Sequence, residues 1–184
     1  MSHIDRPPDL TAERAAALLG RLMLAWDGQW FLKVAESCGL ERAVELNARV
    51  RTSFGRIEIR EYLRALGLTA ARSLPEAVRL VEAYGRLFLG EGLRTGWELR
   101  GDEVVVRVLT CLPQEGAGRA GLRPDTPCVA CESVWGAWLE TALPGTSWTT
   151  EIRRSKGRGA DSCEIVVRRE SPKEPCEDRE EVRK

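Results

Sequence analysis

The hydrophobic pattern of the chain changes its period near residue 90, and this change constrains the fold more than any other feature. Before it, apolar residues recur at helical spacing. After it, residues 93–99 and 103–109 alternate between apolar and polar side chains, as strands do. The sequence therefore predicts an α+β fold, in which an N-terminal helical half is followed by a hairpin–helix–hairpin that forms an antiparallel sheet.

The same pattern divides the chain into four segments. Residues 1–10 are polar and predict a loose tail, and residues 11–90 form the helical region. Residues 91–169 form an α+β region that contains the cysteines. Residues 170–184 are densely charged and predict a disordered tail, and Cys176 within it is expected to belong to no site.

Local signals mark the ends of two helices. Thr11 suits the N-cap of the first helix, and Gly39 suits its C-terminal stop. Ser73 and Glu76 form a capping box that predicts the start of another helix, which should end at Gly90.

The first helix carries a row of apolar residues that predicts a buried face: Leu18, Leu22, Trp26, Trp30 and Val34. Asp27 lies within this helix, and two interpretations stay open. It is either a solvated flank or a pocket carboxylate beside aromatic walls, and the adjacent Gly28, which permits close approach of another backbone, favours the pocket.

The middle helix is predicted over residues 40–66, with a break at residues 52–55. Glu58 and Glu61 alternate with basic residues, which is typical of an exposed helix face.

The second half is predicted to contain a long loop over residues 114–126 that suits a lid, and then a helix over 128–143. Strands over 147–154 and 162–168, joined by a glycine-rich turn, complete the second hairpin.

Charge and hydropathy exclude several classes of partner. The chain has 28 basic and 28 acidic residues, so it lacks the basic excess that nucleic acids and membrane surfaces select. Neither an export signal nor a long apolar run is visible, which predicts a cytoplasmic protein without a membrane partner. In that reducing compartment, cysteines indicate metal ligation, redox chemistry or packing before structural disulfides.

Four cysteines of the second half form the strongest candidate site: Cys111, Cys128, Cys131 and Cys163. The C-x-x-C step presents two thiols to one metal, and the other two ligands would come from separate segments. The set predicts a cage for structural zinc or, as an alternative, an iron–sulfur cluster. A redox pair at Cys128 and Cys131, or separate cysteines with no cofactor, are the other interpretations.

The scarcity of histidine limits the chemistry. His3 is the only one, which excludes a catalytic Ser-His-Asp or Cys-His arrangement within the folded region. If the protein is an enzyme, the catalytic candidates are Asp27 as a proton carrier and Cys131 as a nucleophile. Trp30, Trp135 and Trp138 are either core residues or, with Asp27, the wall of a small-molecule site.

Several short motifs resemble a known family. They are the Pro-Cys step before a helix, the Asp-Ser-Cys-Glu-Ile run around Cys163, and the segments 27–31 and 55–58. The stretch from Cys111 to Arg168 resembles the L-2-amino-thiazoline-4-carboxylic acid hydrolase-like family and, more distantly, the vinyl-reductase-type small-ligand domains. Segments 27–31 and 55–58 are similar to uncharacterised cytosolic relatives of that group. The resemblance implies an α+β fold, a pocket near the cysteines and a homodimer through the N-terminal helices. An aspartate of the hydrolase-like pattern is replaced here by Cys131, which favours a metal cage over hydrolysis.

The sequence thus predicts a cytoplasmic small-ligand or metal-binding module with a Cys-ligated site, in a possible sensory role. A hydrolase-like enzyme with a cysteine nucleophile and a thiol redox protein are the alternatives.

Overall fold

The computed structural model of the protein describes residues 10–90 and 93–170, so the predicted tails lie almost wholly outside the described residues. The elements in chain order are α1 (Ala12–Cys38), α2 (Leu40–Ala65), α3 (Leu74–Leu89), β1 (Thr95–Arg100), β2 (Glu103–Val108), α4 (Leu112–Arg119), α5 (Cys128–Ala142), β3 (Trp148–Arg154) and β4 (Cys163–Arg169). A short 3-10 turn, Lys156–Arg158, joins the last two strands. The predicted α+β architecture is confirmed.

The four strands form one antiparallel sheet in the order β1-β2-β4-β3. The two hairpins meet because β2 pairs with β4, with Val104 opposite Val167 and Val106 opposite Ile165. The two most apolar strands therefore occupy the centre of the sheet, and the strands at the edges are more polar.

The core lies between the inner face of this sheet and the helices α2, α3 and α5. The indole rings of Trp135 and Trp97 join α5 to β1, with ring centroids 5.4 Å apart. On the helical side, Trp138 packs edge-on against Tyr84 of α3 at 5.6 Å. Helix α5 is thus the central element, because most of its length is buried on both sides.

The outer face of the sheet is covered by charge. Arg168 forms ion pairs with both Glu103 and Glu151, so it links three strands across that face. Val105 and Val166, the paired residues at the centre of the same face, are nevertheless buried.

The local end signals are confirmed. The Thr11 hydroxyl accepts a hydrogen bond from the Arg14 backbone N–H at 3.3 Å, and Ser73 caps α3 in the same way through Glu76. Gly101 has a positive φ of 61° in the turn between β1 and β2. A hairpin turn of this kind favours glycine, because glycine has no Cβ atom and adopts a positive φ without steric strain.

Two predictions about the helices were wrong. The predicted break at residues 52–55 is absent, and α2 runs through it because Gly55 packs directly on α5: a Cβ atom there would lie 3.0 Å from Nε1 of Trp138. The predicted loop over residues 114–126 begins as helix α4, which starts after Cys111 with a proline in its first turn.

The prediction of a buried face on α1 was also wrong. None of the 27 residues of α1 is buried, and Trp26 and Trp30 are 64% and 49% exposed. Five large apolar side chains form an outer stripe that no other described element covers: Leu19, Leu22, Met23, Trp26 and Trp30. Helical spacing identifies an apolar face, but it does not tell which molecule covers that face.

Candidate functional site

Four cysteines converge near the N-terminal end of α5, and we call Cys111, Cys128, Cys131 and Cys163 the thiol cluster. Cys128 and Cys131 lie in the first turn of α5, Cys111 is the N-cap residue of α4, and Cys163 begins β4. Cys163 pairs with Val108, the last residue of β2, so the sheet register places it beside the connection to Cys111. All four thiols are free.

Hydrogen bonds and close packing hold the cluster in place. The Cys128 thiol lies 3.2 Å from the hydroxyl of Ser155, and the Lys156 backbone N–H donates to Sγ of Cys163 at 3.3 Å. The turn that supplies these groups packs tightly on the segment before α5. A Cβ atom on Gly157 would lie 2.7 Å from both Cα of Asp125 and the carbonyl oxygen of Pro124.

The thiols of the cluster influence one another's ionisation. Burial raises the pKa of Cys111 to about 11, and the neighbouring thiols of Cys163 and Cys128 contribute to the rise. Burial also raises the pKa of Cys131, with further contributions from all three other thiols, and it raises the pKa of Cys128. These three side chains are therefore protonated thiols at neutral pH, since a thiolate would be both desolvated and repelled.

The cluster was predicted to bind metal, and its donor chemistry suits zinc. Among residues 10–90 and 93–170, however, no group of three or more His, Cys, Asp or Glu side chains is arranged so that it could hold a metal ion. The described arrangement therefore does not fit a four-sulfur cage, and zinc or an iron–sulfur cluster stays a prediction.

A buried carboxylate lies deeper in the core, between α2 and α5. Glu58 is 7% exposed, and its Oε2 accepts a hydrogen bond from Nε1 of Trp138 at 3.1 Å. Its Oε1 has no hydrogen-bond partner and lies 3.6 Å from the guanidinium of Arg51. Burial, and then the adjacent charge of Glu58, raise the pKa of Tyr84, so its hydroxyl stays protonated.

The sequence interpretation missed this carboxylate. It predicted that Glu58 and Glu61 share an exposed face, but only Glu61 is exposed. The sequence did contain a signal that Glu58 is buried. Glu58 lies beside the apolar Ile59 and three residues after Gly55, and a glycine permits close helix packing on that face. Arg51 also connects this group electrostatically with the thiol cluster, because its charge favours ionisation of Cys131.

The other predicted site residues lie in different parts of the molecule. Trp135 and Trp138 are core residues whose rings contact each other at 5.0 Å. Trp30 instead lines an open groove on α1 that ends at Ser37 and Cys38. Asp27 is half-buried on α1, and a Cβ atom on Gly28 would have no neighbouring atom within 4 Å, so the close approach expected there is absent. In the part of the chain that the structure describes, these four predicted ligand-binding side chains therefore do not line one common site.

No helix in the part of the chain that the structure describes has both the length and the hydrophobicity to span a membrane.

The fold is similar to that of a solved structure, a trafficking protein particle complex subunit 3 from Naegleria fowleri covalently bound to palmitic acid. The likeness has a TM-score of 0.59 at 17% sequence identity and covers 84% of this chain and 97% of that one. Similarity at this level of identity shows a common fold.

No curated protein matches the sequence. A family of unknown function, DUF6125, matches residues 10–142, which include α1 to α5 and the first hairpin. The chain therefore belongs to the DUF6125 family.

Proposed function

We propose that this protein is a small-ligand-binding module whose site is the thiol cluster. The observation that carries the proposal is the convergence of four free thiols from three separate parts of the chain. Packing alone does not require so many sulfur atoms in one place. Thiols provide soft ligands, so the ligand we expect is thiophilic, with a soft cation such as Zn²⁺ as the first candidate. Free thiols also suit a reducing compartment, and we place the protein in the cytoplasm.

Zinc binding would require the four sulfur atoms to draw together from their described positions. It would also require the thiols to release their protons, because only thiolates bind zinc strongly. The raised pKa values of Cys111, Cys128 and Cys131 mean that these protons are still present at pH 7. Binding should therefore be coupled to proton release.

The enzymatic alternative has less support. A nucleophilic Cys131 must be a thiolate, whereas burial and its thiol neighbours raise its pKa. Asp27, the other catalytic candidate, lies on α1, and no histidine occurs after His3. The same raised pKa values disfavour a fast redox pair at Cys128 and Cys131.

The structural neighbour supports a ligand-holding function for the fold. That protein is covalently bound to palmitic acid. A fold that holds a small molecule in one protein offers a precedent for a binding module here, although the ligands need not be alike.

The test is a titration of the purified, reduced protein with Zn²⁺ alone in weakly buffered solution containing a pH indicator. We expect one equivalent to bind with release of about two or more protons. The variant Cys163→Ala should lose this binding. The matched control Cys38→Ala, which changes an exposed cysteine outside the cluster, should keep it.

Alkylation followed by intact-mass measurement gives a second readout. Zn²⁺ should protect the cluster cysteines from iodoacetamide and leave Cys38 reactive. If Zn²⁺ neither binds saturably nor protects any thiol, the metal-binding form of the proposal is wrong. If a cluster thiol is instead alkylated faster than Cys38 at pH 7, a nucleophilic or redox function gains support.

A further inference from the structure

The outer stripe of α1 is an apolar surface without a partner among the described residues. Its five side chains are between 41% and 64% exposed. Because a large side chain has a surface of about 150–250 Å², the five together expose on the order of 600 Å². Isolated exposed apolar residues are ordinary, but a contiguous patch of this size on one helix marks an interaction surface. We propose that the stripe pairs with the stripe of a second copy of this chain, with the two α1 helices antiparallel.

The area of the stripe suits a dimer. Two copies would bury roughly 1,200 Å² together, which exceeds the level of about 1,000 Å² expected for a specific interface. The pairing needs no second surface, because a twofold axis joins a patch to itself.

The sizes of the residues along the helix favour the antiparallel arrangement. The large Trp26 and Trp30 lie in the C-terminal half of α1, whereas the exposed Ala12 and Ala16 lie near its N-terminus. In an antiparallel pair centred at Arg21, Trp26 of one copy would face Ala16 of the other, and Trp30 would face Ala12. Large residues opposite small ones let two helices interdigitate at normal packing distance. A parallel pair would place tryptophan against tryptophan.

The charges of α1 disfavour a membrane surface as the occupant. The helix contains three acidic and three basic residues, so it has no net charge. Helices that lie on membranes are instead rich in lysine and arginine on their polar face. Lys33, at the end of the stripe, is already paired with Glu36 at 2.7 Å.

The test is sedimentation equilibrium of the full chain between about 1 and 100 μM, a range that separates weak from stable dimers. We expect a mass of twice 20.5 kDa at the upper concentrations. Trp26→Glu should weaken dimerisation at least tenfold, because it buries a charge in the interface. Ala25→Glu is the matched control, since it adds the same charge at an exposed position of α1 outside the stripe, and it should dimerise like the wild type.

Ala16→Trp separates self-pairing from other occupants. It enlarges the apolar surface, so a lipid surface or an unrelated apolar partner would bind it as well or better. In the antiparallel dimer it places a second large ring against Trp26, and dimerisation should weaken. A chain that stays monomeric at 100 μM overturns the proposal, and so does an Ala16→Trp variant that dimerises as tightly as the wild type. Binding of the monomer to phosphatidylcholine vesicles would assign the stripe to membranes instead.

Discussion

The carboxylate of Glu58 accepts a hydrogen bond from the indole nitrogen of Trp138 at 3.1 Å, which ties α2 to α5 inside the core. The two residues are 80 positions apart in the chain. Gly55, one turn earlier on α2, permits this contact because it lets the indole ring approach the helix backbone closely. The buried charge is therefore built into the packing of the two helices.

Trp138→Phe should destabilise the protein more than Trp135→Phe. Both changes remove similar aromatic area from the core, but only the first leaves the Glu58 carboxylate without its N–H donor. The indole nitrogen of Trp135 is buried without a hydrogen-bond partner, so its loss removes an unsatisfied group. We expect a difference of about 1–3 kcal/mol in the free energy of unfolding, measured in urea. Equal losses would show that the hydrogen bond contributes nothing.

Glu58→Gln tests the ion pair with Arg51 separately from the hydrogen bond. Glutamine can still accept from Trp138, but it leaves the partly buried guanidinium unpaired. We expect the free energy of unfolding to fall by about 1–2 kcal/mol. This loss is smaller than that for breaking a fully buried ion pair, because the Arg51 side chain keeps some contact with water. Glu58→Ala removes both interactions and should cost more. Urea denaturation of the two variants checks the order, and a Gln variant less stable than the Ala variant would contradict it.

Gly157→Ala should destabilise the turn beside the thiol cluster. The new methyl group would lie 2.7 Å from backbone atoms of residues 124 and 125, which cannot move as a flexible side chain does. A cost of about 1–3 kcal/mol is expected for overpacking of this kind. Gly28→Ala is the control, because it adds a methyl group to a helix interior with open space around it. That change should stabilise the protein by about 0.5–1 kcal/mol in thermal or urea unfolding.

The thiol cluster predicts a loss of stability in alkaline solution. Well below pH 9 the Cys111 thiol is protonated in both states, so it adds no pH dependence. Between the ordinary pKa of 9.0 and the folded pKa of about 11, the unfolded chain loses this proton while the folded chain keeps it. The unfolded state then binds fewer protons, and the free energy of unfolding falls as pH rises, by about 2–3 kcal/mol at most for this group.

The measurement compares the slope of unfolding free energy against pH, from 8 to 11, in wild type and Cys111→Ala. The variant should show the shallower slope, because it lacks the Cys111 thiol and also removes the charge of Cys111 that helps to raise the pKa of Cys131. Parallel slopes would mean that Cys111 ionises alike in both states.

The features that the sequence predicted well are those with local causes. Thr11 and Ser73 cap helices through their own hydroxyl groups, and Gly101 supplies the positive φ of a turn, so neighbouring residues suffice to identify them. The convergence of the four cysteines could be suggested but not established, because it depends on the pairing of β2 with β4.

The errors arose where the cause lies far away in the chain. In the sequence, Gly55 is typical of a helix break, but in the structure the indole ring of Trp138 packs against it. Glu58 alternates with basic residues, as an exposed residue would, but its carboxylate accepts a hydrogen bond from Trp138 in the core. The exposed face of α1 is another case in which the local pattern does not decide whether a residue is buried. Trp26 and Trp30 have the spacing of core residues, yet within the described residues no element packs over them.

The order of the strands has a consequence for the behaviour of the protein at high concentration. The valine-rich segments of β2 and β4 have the high β-propensity that fibril-forming segments need, and each is flanked by strands on both sides. The outermost strands present charged side chains such as Glu98 and Glu151 to their surroundings. Edge-to-edge addition of another sheet would meet these charges first, so amyloid growth should require prior unfolding of a hairpin.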